Sequence, residues 1–269
     1  MIETARPLPT SGPATSLDSR WMVRTSLLSR AMNRLQRGRR LRLLRGTPAE
    51  RLRTGHISSL ELLAITRADE PRMAYDIGAS TGTWTLLAKA ILPAIQVHAF
   101  EPLPEQADCF ARASRRLTGV HLHRTALGSR TERHPMHVTD SPDSSSLLAP
   151  TPRLRAGFGV EVVTSRTVPV ERLDDFVDRE RLPLPDLIKL DVQGGELAVL
   201  EGGAACLSHA RWLVVEVSFV PFYENQPLFH DIVCHLADRN FYLHALSVDT
   251  PRGAPLVQTD VLFSRCTSS

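Results

Sequence analysis

The stretch Ala74-Tyr-Asp-Ile-Gly-Ala-Ser-Thr-Gly-Thr-Trp84 decides the fold. It opens in a short apolar run, Met73–Ile77, of the length expected for a buried strand. Gly78 and Gly82 follow, and a helical pattern starts near Thr83. Strand, glycine-bearing turn and helix in that order point unpaired backbone N–H groups at a ligand, and glycine lets the chain turn tightly beside it. The spacing is GxxxG and not the GxGxxG of a dinucleotide site. Asp76, two residues ahead of the first glycine, disfavours a pyrophosphate and suits a cationic ligand. S-adenosylmethionine offers such an acid its ammonium group and offers the amides its carboxylate.

Downstream, short apolar runs alternate with helical stretches, the signature of βαβ units around a parallel sheet. The runs are Met73–Ile77, Ile95–Phe100, Val120–His123, Leu187–Leu190 and Leu213–Val217. Helices are expected to start near Thr83, Pro104, Gly195 and Pro227, and Phe241–Leu246 with Pro255–Phe263 read as a closing pair of strands. The predicted architecture is a mostly parallel twisted α/β sheet with helices on both faces and an antiparallel closing strand. Residues 128–170 break the pattern: a turn-rich loop, Asp140-Ser-Pro-Asp-Ser-Ser-Ser146, precedes an extended Val160–Val170. Long polar loops in compact domains commonly act as lids or binding loops, and this one is expected to cover cofactor or acceptor.

The second strand ends in His98-Ala-Phe-Glu-Pro102. Glu101 lies where an α/β nucleotide site places the acid that accepts hydrogen bonds from ribose hydroxyls. Alone, Glu101 reads equally well as an exposed loop acid; beside Asp76 and Gly78 the ligand-binding reading wins.

These pieces resemble the FkbM-type methyltransferases. The resemblance runs from about Met73 to the last strand and rests on several segments in order. They are Tyr75-Asp-Ile-Gly-Ala-Ser-Thr-Gly82, Ala99-Phe-Glu-Pro102, Thr125-Ala-Leu-Gly128, Arg172-Leu-Asp-Asp175, Ile188-Lys-Leu-Asp-Val-Gln-Gly-Gly-Glu196 with Val199-Leu-Glu-Gly202, and Val214-Val-Glu-Val217. The resemblance implies a class I, Rossmann-like methyltransferase sheet, S-adenosylmethionine as donor, and O-methylation of a sugar or natural-product hydroxyl. It implies further that Asp76, Gly78, Ala79, Ser80 and Gly82 line the methionine half of the donor, that Glu101 and Pro102 hold the ribose, that Ala126 and Leu127 pass beside the adenine, and that Asp191 faces the reacting centre. Thr83 and Trp84 at the helix start and Ser145 in the loop complete the expected cofactor-binding set. The family often carries Glu where this chain has Gln193, which removes a charge and argues against a general base at that position.

An alcohol must lose its proton to attack a methyl group, so a base or a metal helps. Ligands bind outside the carboxyl ends of such strands, which makes Asp191, Glu216 and His244 the catalytic candidates. Lys189, inside an apolar strand, reads either as half of a buried ion pair or as part of the catalytic apparatus. Glu196 reads first as an acid in a first helical turn, favoured by the helix dipole. Asp191 and Glu216 are the carboxylates that could share a Mg²⁺, but no metal-ligand spacing indicates one. His121 and His123 alternate onto one strand face and read as structural or exposed.

The chain has 269 residues and a net charge of +3, enough length for one sizeable domain with an added segment. The charge is uneven: nine arginines between Arg30 and Arg53 face only Glu3, Asp18 and Glu50 in the first fifty-odd residues. Residues 1–55 are read as a basic, partly disordered and partly helical extension, with helix across 20–53, and 56–269 as the methyltransferase domain. Cys109, Cys206, Cys234 and Cys266 form no CxxC pair, and the first three read as buried small hydrophobes in a reducing, cytoplasmic setting. No apolar run reaches the length of a membrane span; peripheral membrane contact through the basic leader remains open, and so does the oligomeric state.

Four other readings compete, of which an NAD-dependent oxidoreductase is disfavoured by the absence of GxGxxG. A nucleic-acid methyltransferase would use the arginine leader, yet the chain lacks a Pro-Cys nucleophile and an Asp/Asn-Pro-Pro-Tyr motif, and nucleic acid is disfavoured as a partner. A catalytically silent binding module is disfavoured by Asp76, Glu101 and Asp191. N-methylation of an amine needs less base catalysis. The favoured partner is a small-molecule or glycan acceptor.

Overall fold

The computed structural model describes residues 38–52, 59–247 and 256–266. Most of the expected leader, including residues 20–37 of the expected basic helix, lies outside them. Helix α1 covers the described residues 38–43 and runs into turns. The elements that follow are α2 (Ser59–Thr66), β1 (Met73–Ile77), α3 (Thr83–Ile91), β2 (Gln96–Phe100), α4 (Pro104–Ser114), β3 (Val120–His123), β4 (Ala126–Gly128), β5 (Glu132–Thr139), α5 (Pro152–Phe158), β6 (Val162–Arg172), α6 (Leu173–Glu180), β7 (Leu187–Leu190), α7 (Glu196–Gly202), α8 (Ala204–His209), β8 (Trp212–Ser218), α9 (Phe229–Ala237), β9 (Phe241–Leu246) and β10 (Gln258–Arg265). A short 3₁₀ turn, Pro142–Ser144, lies between β5 and α5.

Seven strands form one sheet in the order β3-β2-β1-β7-β8-β10-β9. The pairs from β3 to β8 are parallel, and β10 is antiparallel to both β8 and β9. This is the architecture that the resemblance implies, with the closing strand inserted between β8 and β9. It reverses at β1, where β2 lies on one side and β7 on the other, and such a switch point is where open α/β sheets bind ligands.

Side chains alternate along β1, which splits the core in two. Tyr75 and Ile77 join Ile188, Leu190, Val215 and Val217 on the face covered by α6, α7, α8 and α9. Ala74 joins Val97, Leu187, Val214 and Leu262 on the other face, against Leu60 and Leu63 of α2 and Trp84 and Leu87 of α3. Leu44 and Ala49, upstream of residue 55, are fully buried in that second cluster. The core therefore reaches back into the segment read from sequence as an extension.

The irregular region 128–170 holds a three-stranded sheet, β4-β6-β5, that the sequence reading did not resolve. β4 runs parallel to β6, and β5 runs antiparallel to it. The small sheet is fastened to the large one at α7: a Cβ on Gly202 would lie 2.1 Å from the Gly128 carbonyl oxygen, so only glycine allows that contact. Of the cysteines expected inside, Cys206 is buried, Cys109 is half-buried and Cys234 is exposed, because Cys234 lies on the outer side of α9, whose inward positions are Ile232 and Leu236.

Candidate functional site

Two cavities adjoin at the carboxyl ends of the central strands. The first, of 280 Å³, lies between the large and small sheets. Gly78 and Ser80 of the turn, Glu101 and Pro102 after β2, Ala126 and Leu127 of β4, Ser145 of the polar loop and Asp191 after β7 all line it. The second, of 320 Å³, is lined by Glu216, Tyr223, Ser247, Gln258 and Asp260, with Phe158 and Phe222 as an aromatic wall. Asp143, Asp191 and Gln193 belong to both walls.

The turn owes its shape to backbone geometry. Gly78 has φ +78°, and a Cβ there would lie 1.8 Å from the Asp191 carbonyl oxygen, so the β1 turn packs directly on the end of β7. Gly82 has φ +89° and lies against the Phe110 ring. Ser80, at φ +43°, takes a left-handed conformation without being glycine. Its amide donates to Glu101 Oε2 at 3.0 Å, and its hydroxyl donates to Asp143 Oδ1 at 2.8 Å.

Glu101 is 5% exposed. Besides the Ser80 amide, it accepts the Leu103 amide at 2.8 Å on Oε1. Burial pushes its pKa up to about 7, and the two amides limit the rise. Each of its oxygens keeps a further lone pair for a hydroxyl of a ligand.

Asp76 does not line either cavity. It alternates with Tyr75 and Ile77 and therefore points to the opposite face, where it is fully buried. Its Oδ2 accepts the Thr85 hydroxyl at 2.6 Å, and its Oδ1 lies 3.6 Å from Lys189 Nζ. Sequence placed Asp76 against a ligand ammonium; here its carboxylate lies beneath the turn and faces Thr85 and Lys189. Ala79, Thr83 and Trp84 also stay off the cavity walls: Ala79 packs with Ala99 and Phe110, Thr83 begins α3, and Trp84 fills the core. Gly82 acts through the turn and lines neither cavity.

Lys189 is 2% exposed, lines neither cavity, and lies beneath the glycine turn between Asp76 and Asp191. Its ammonium lies 3.3 Å from Asp191 Oδ2 and donates to the Gly78 carbonyl at 3.1 Å. Burial works against the charge, but Asp191 and Asp76 outweigh it and hold the pKa above the usual lysine value. Of the two sequence readings of this lysine, the buried ion pair describes its contacts. Glu196 is likewise turned inward: Oε1 accepts the amides of Val192 at 3.0 Å and Gly194 at 3.1 Å. Burial raises its pKa to about 7.

Asp191 and Glu216 meet through Gln193. The Gln193 amide nitrogen donates to Asp191 Oδ1 at 2.7 Å and to Glu216 Oε2 at 2.8 Å. Gln258 donates to the same Glu216 oxygen at 2.6 Å. Burial, with Asp191 and Asp260 close by, raises the Glu216 pKa well above the usual carboxylate range. Two ionised carboxylates here would repel, and a carboxamide that donates to both removes the clash a glutamate would add.

His244 does not join them. It sits in mid-β9, exposed, with its ring 5.0 Å from that of Trp212 at the opposite end of β8 from Glu216. The β9 contribution to the second cavity comes instead from Ser247, three residues further along. Sequence reasoning also missed Tyr223, which is 1% exposed and whose hydroxyl lies 3.0 Å from Gln193 Oε1. A lone tyrosine in a Pro-Phe-Tyr-Glu-Asn connection carries no spacing signal. Among the described residues no group of three or more His, Cys, Asp or Glu is placed to hold a metal ion, and no helix is long and apolar enough to cross a membrane.

Residues 76–243 match a family model described as the methyltransferase FkbM domain. The chain is similar to the 2-O-methyltransferase NoeI of Sinorhizobium fredii, 27% identical over 173 residues that cover 62% of this chain and 71% of that protein. It is also similar to the hexuronic acid methyltransferase AglP of Haloferax volcanii, 27% identical over 157 residues, which span 58% of this chain and 59% of that protein's length. A solved structure from Klebsiella pneumoniae, described as an O-methyltransferase, shares the fold with a TM-score of 0.50 at 13% identity, covering 90% of this chain and 98% of that one.

Proposed function

This chain belongs to the FkbM methyltransferase family, and from that premise we propose that it transfers a methyl group from S-adenosylmethionine to a hydroxyl of a sugar or sugar-like acceptor. The observation that carries the reading is the pair of adjoining cavities with Asp191 in the wall of both. One accommodates the donor and the other the acceptor. The names of the two sugar-directed relatives favour a glycan hydroxyl as the acceptor.

The donor residues fit the chemistry of the cofactor. Glu101, buried with a lone pair free on each oxygen, suits a ribose diol. Ala126 and Leu127 offer an apolar strip to a purine. The turn at Gly78 and Ser80 offers backbone to an amino-acid moiety. When bound, S-adenosylmethionine supplies an electrophilic methyl group. The chain's own work lies on the acceptor side. Glu216, with a pKa raised by burial, accepts the hydroxyl proton, while Asp191 orients the hydroxyl at the boundary between the cavities. Lys189, 3.3 Å from Asp191 Oδ2, holds that carboxylate in place from beneath. Phe158 and Phe222 give a sugar ring an apolar face to lie on.

Calorimetric titration with S-adenosylhomocysteine tests the donor half. Hydrogen bonds to a charged group contribute about 1.5–3 kcal/mol, so Glu101→Ala should weaken binding roughly 10- to 150-fold. A folded wild type that binds no S-adenosylhomocysteine overturns the reading. Transfer of labelled methyl to a panel of hydroxylated monosaccharides and glycans then identifies the acceptor.

A further inference from the structure

The loop after β5 touches the two cavities in different ways. On the donor side, Asp143 accepts the Ser80 hydroxyl at 2.8 Å. On the acceptor side, the neighbouring Ser144 carbonyl lies 2.9 Å from the Tyr223 hydroxyl, and the Ser146 hydroxyl donates to the Gln193 carbonyl at 2.7 Å. Among the described residues, Tyr223 is the one side chain whose polar atom reaches both this loop and the Gln193 side-chain amide.

The tyrosine is held firmly. Its amide and that of Phe222 donate to Gln226 Oε1, and Gln226 donates in turn to the Ser218 hydroxyl at the end of β8. Thr151 and Glu224 tie the flanking backbone to the loop's downstream end through the Phe222 and Ala149 carbonyls. Its ring packs with Leu154, Val160 and Phe222. A Cβ on Gly194 would lie 3.3 Å from that ring, so the turn carrying Gln193 is fitted against it. Burial raises the phenol pKa, and the hydroxyl stays protonated.

The phenol has one proton and two acceptors, the Ser144 carbonyl and Gln193 Oε1. When it donates to Gln193, it fixes which end of the carboxamide faces the acids. The amide nitrogen then points at Asp191 and Glu216, as observed. When it donates to Ser144, the carboxamide loses that lock and can turn an oxygen toward the two carboxylates, which they would oppose. The position of Ser144 therefore biases the acid pair, and Ser144 is adjacent to the residue that grips the donor-side turn.

We propose that Tyr223 is a positioning residue that couples donor occupancy to the orientation of the Asp191–Glu216 pair, through Asp143, Ser144 and the Gln193 carboxamide. This rests on the donor assignment proposed above. Occupancy of the first cavity alters the Ser80–Asp143 contact that lines it. The altered loop shifts the balance of the phenol proton, and Gln193 passes the change to both carboxylates. The acid pair then becomes competent for proton removal only when a methyl donor is in place, and an acceptor alkoxide does not form beside an empty donor site.

The test reads the carboxylates directly and needs no acceptor. The side-chain carboxyl ¹³C resonance of Glu216 is titrated with pH in the full chain, with and without S-adenosylhomocysteine. In the wild type, saturation should move the titration midpoint by about half a pH unit or more. Tyr223→Phe, which removes only the hydroxyl, should abolish that movement while S-adenosylhomocysteine affinity changes less than about threefold. Asp143→Ala cuts the same chain at its other end, at an exposed side chain, and should abolish the movement too; it decides the matter if Tyr223→Phe does not fold. A movement that persists in either folded variant overturns the proposal, as does a wild type that binds S-adenosylhomocysteine with no movement at all. A wild type that does not bind it overturns the donor assignment and this proposal together.

Discussion

Glu216 and Gln193 show how one side chain changes what its neighbours can do. A glutamate at 193 would put a third carboxyl between Asp191 and Glu216, whereas the amide donates to both. The consequence for the pH profile has a definite sign. Glu216 has a raised pKa, so it is protonated at low pH and becomes a base only as pH rises through that value. Turnover should climb with pH across that limb. Glu216→Gln should lower kcat by roughly 10²-fold or more and remove the limb, with donor affinity little changed; a variant that keeps the wild-type rate and limb would exclude Glu216 as the base. Residues of this kind were only half legible in the sequence. Asp191 and Glu216 end hydrophobic strands, and that position flagged them. Tyr223 sits in an aperiodic connection, and nothing in its neighbours marks it. Asp76 was legible as important but not in its direction, because alternation along β1 turns it toward Thr85 and Lys189.

Among the elements, the central strands and the glycine turn could be read because burial on both faces writes continuous apolar runs. Of the small sheet only the extended Val160–Val170, which overlaps β6, could be read. β5 carries Glu132, Arg133, His134, Pro135 and His137, and most of β6 is exposed, so neither shows an apolar period. Yet β4 supplies Ala126 and Leu127 to the first cavity, so the shape of that cavity depends on where the small sheet is docked. The docking point is the contact of Gly202 in α7 with the Gly128 backbone. Gly202→Ala should push β4 away from α7. Overpacking of this sort costs about 1–3 kcal/mol, and S-adenosylhomocysteine binding should weaken about tenfold although residue 202 touches neither cavity. Unchanged affinity in the calorimeter would mean that β4 is positioned by β6 alone. The misplacement of His244 has an element-level cause as well. β9 does run in the same direction as β8, so its carboxyl end does reach the site, but that end is Ser247.

Across the whole molecule, the core includes residues upstream of the matched family region. Leu44 is fully buried with Leu60, Trp84 and Leu187, and Leu44→Ala should cost about 2–5 kcal/mol, read from the denaturation midpoint. A loss below about 0.5 kcal/mol would show that this segment is a detachable arm. The stability profile with pH has two opposed components. Glu196 has its pKa raised from 4.5 to about 7, so its favourable contribution is complete below 4.5 and is lost as pH rises through 7. His98 has its pKa lowered from 6.5 to about 4 by burial, with His123 and His121 stacked beside it, Tyr75 edge-on, and Glu180 acting on His123. Its contribution is complete above 6.5 and is lost as pH falls toward 4. Glu196→Gln should therefore gain melting temperature relative to wild type as pH rises from 5 to 8, and His98→Phe should gain as pH falls from 7 to 4.5. Differences that stay flat across those windows would remove these groups from the account.

The insertion of β10 between β8 and β9 also sets an order of events at the ribosome. β9 is synthesised before β10, yet among the described residues it pairs with no other strand of the large sheet. Until residue 265 has emerged, β8 presents an unpaired edge and β9, though next to α9, lacks its strand partner. Gln258 and Asp260, which complete the wall around Glu216, arrive in that same last strand. The residues that line the first cavity are all made by Ala198, whereas the wall of the second is completed only with β10. On the proposed assignment, a nascent chain would carry every residue of the donor wall before the wall around Glu216 is complete.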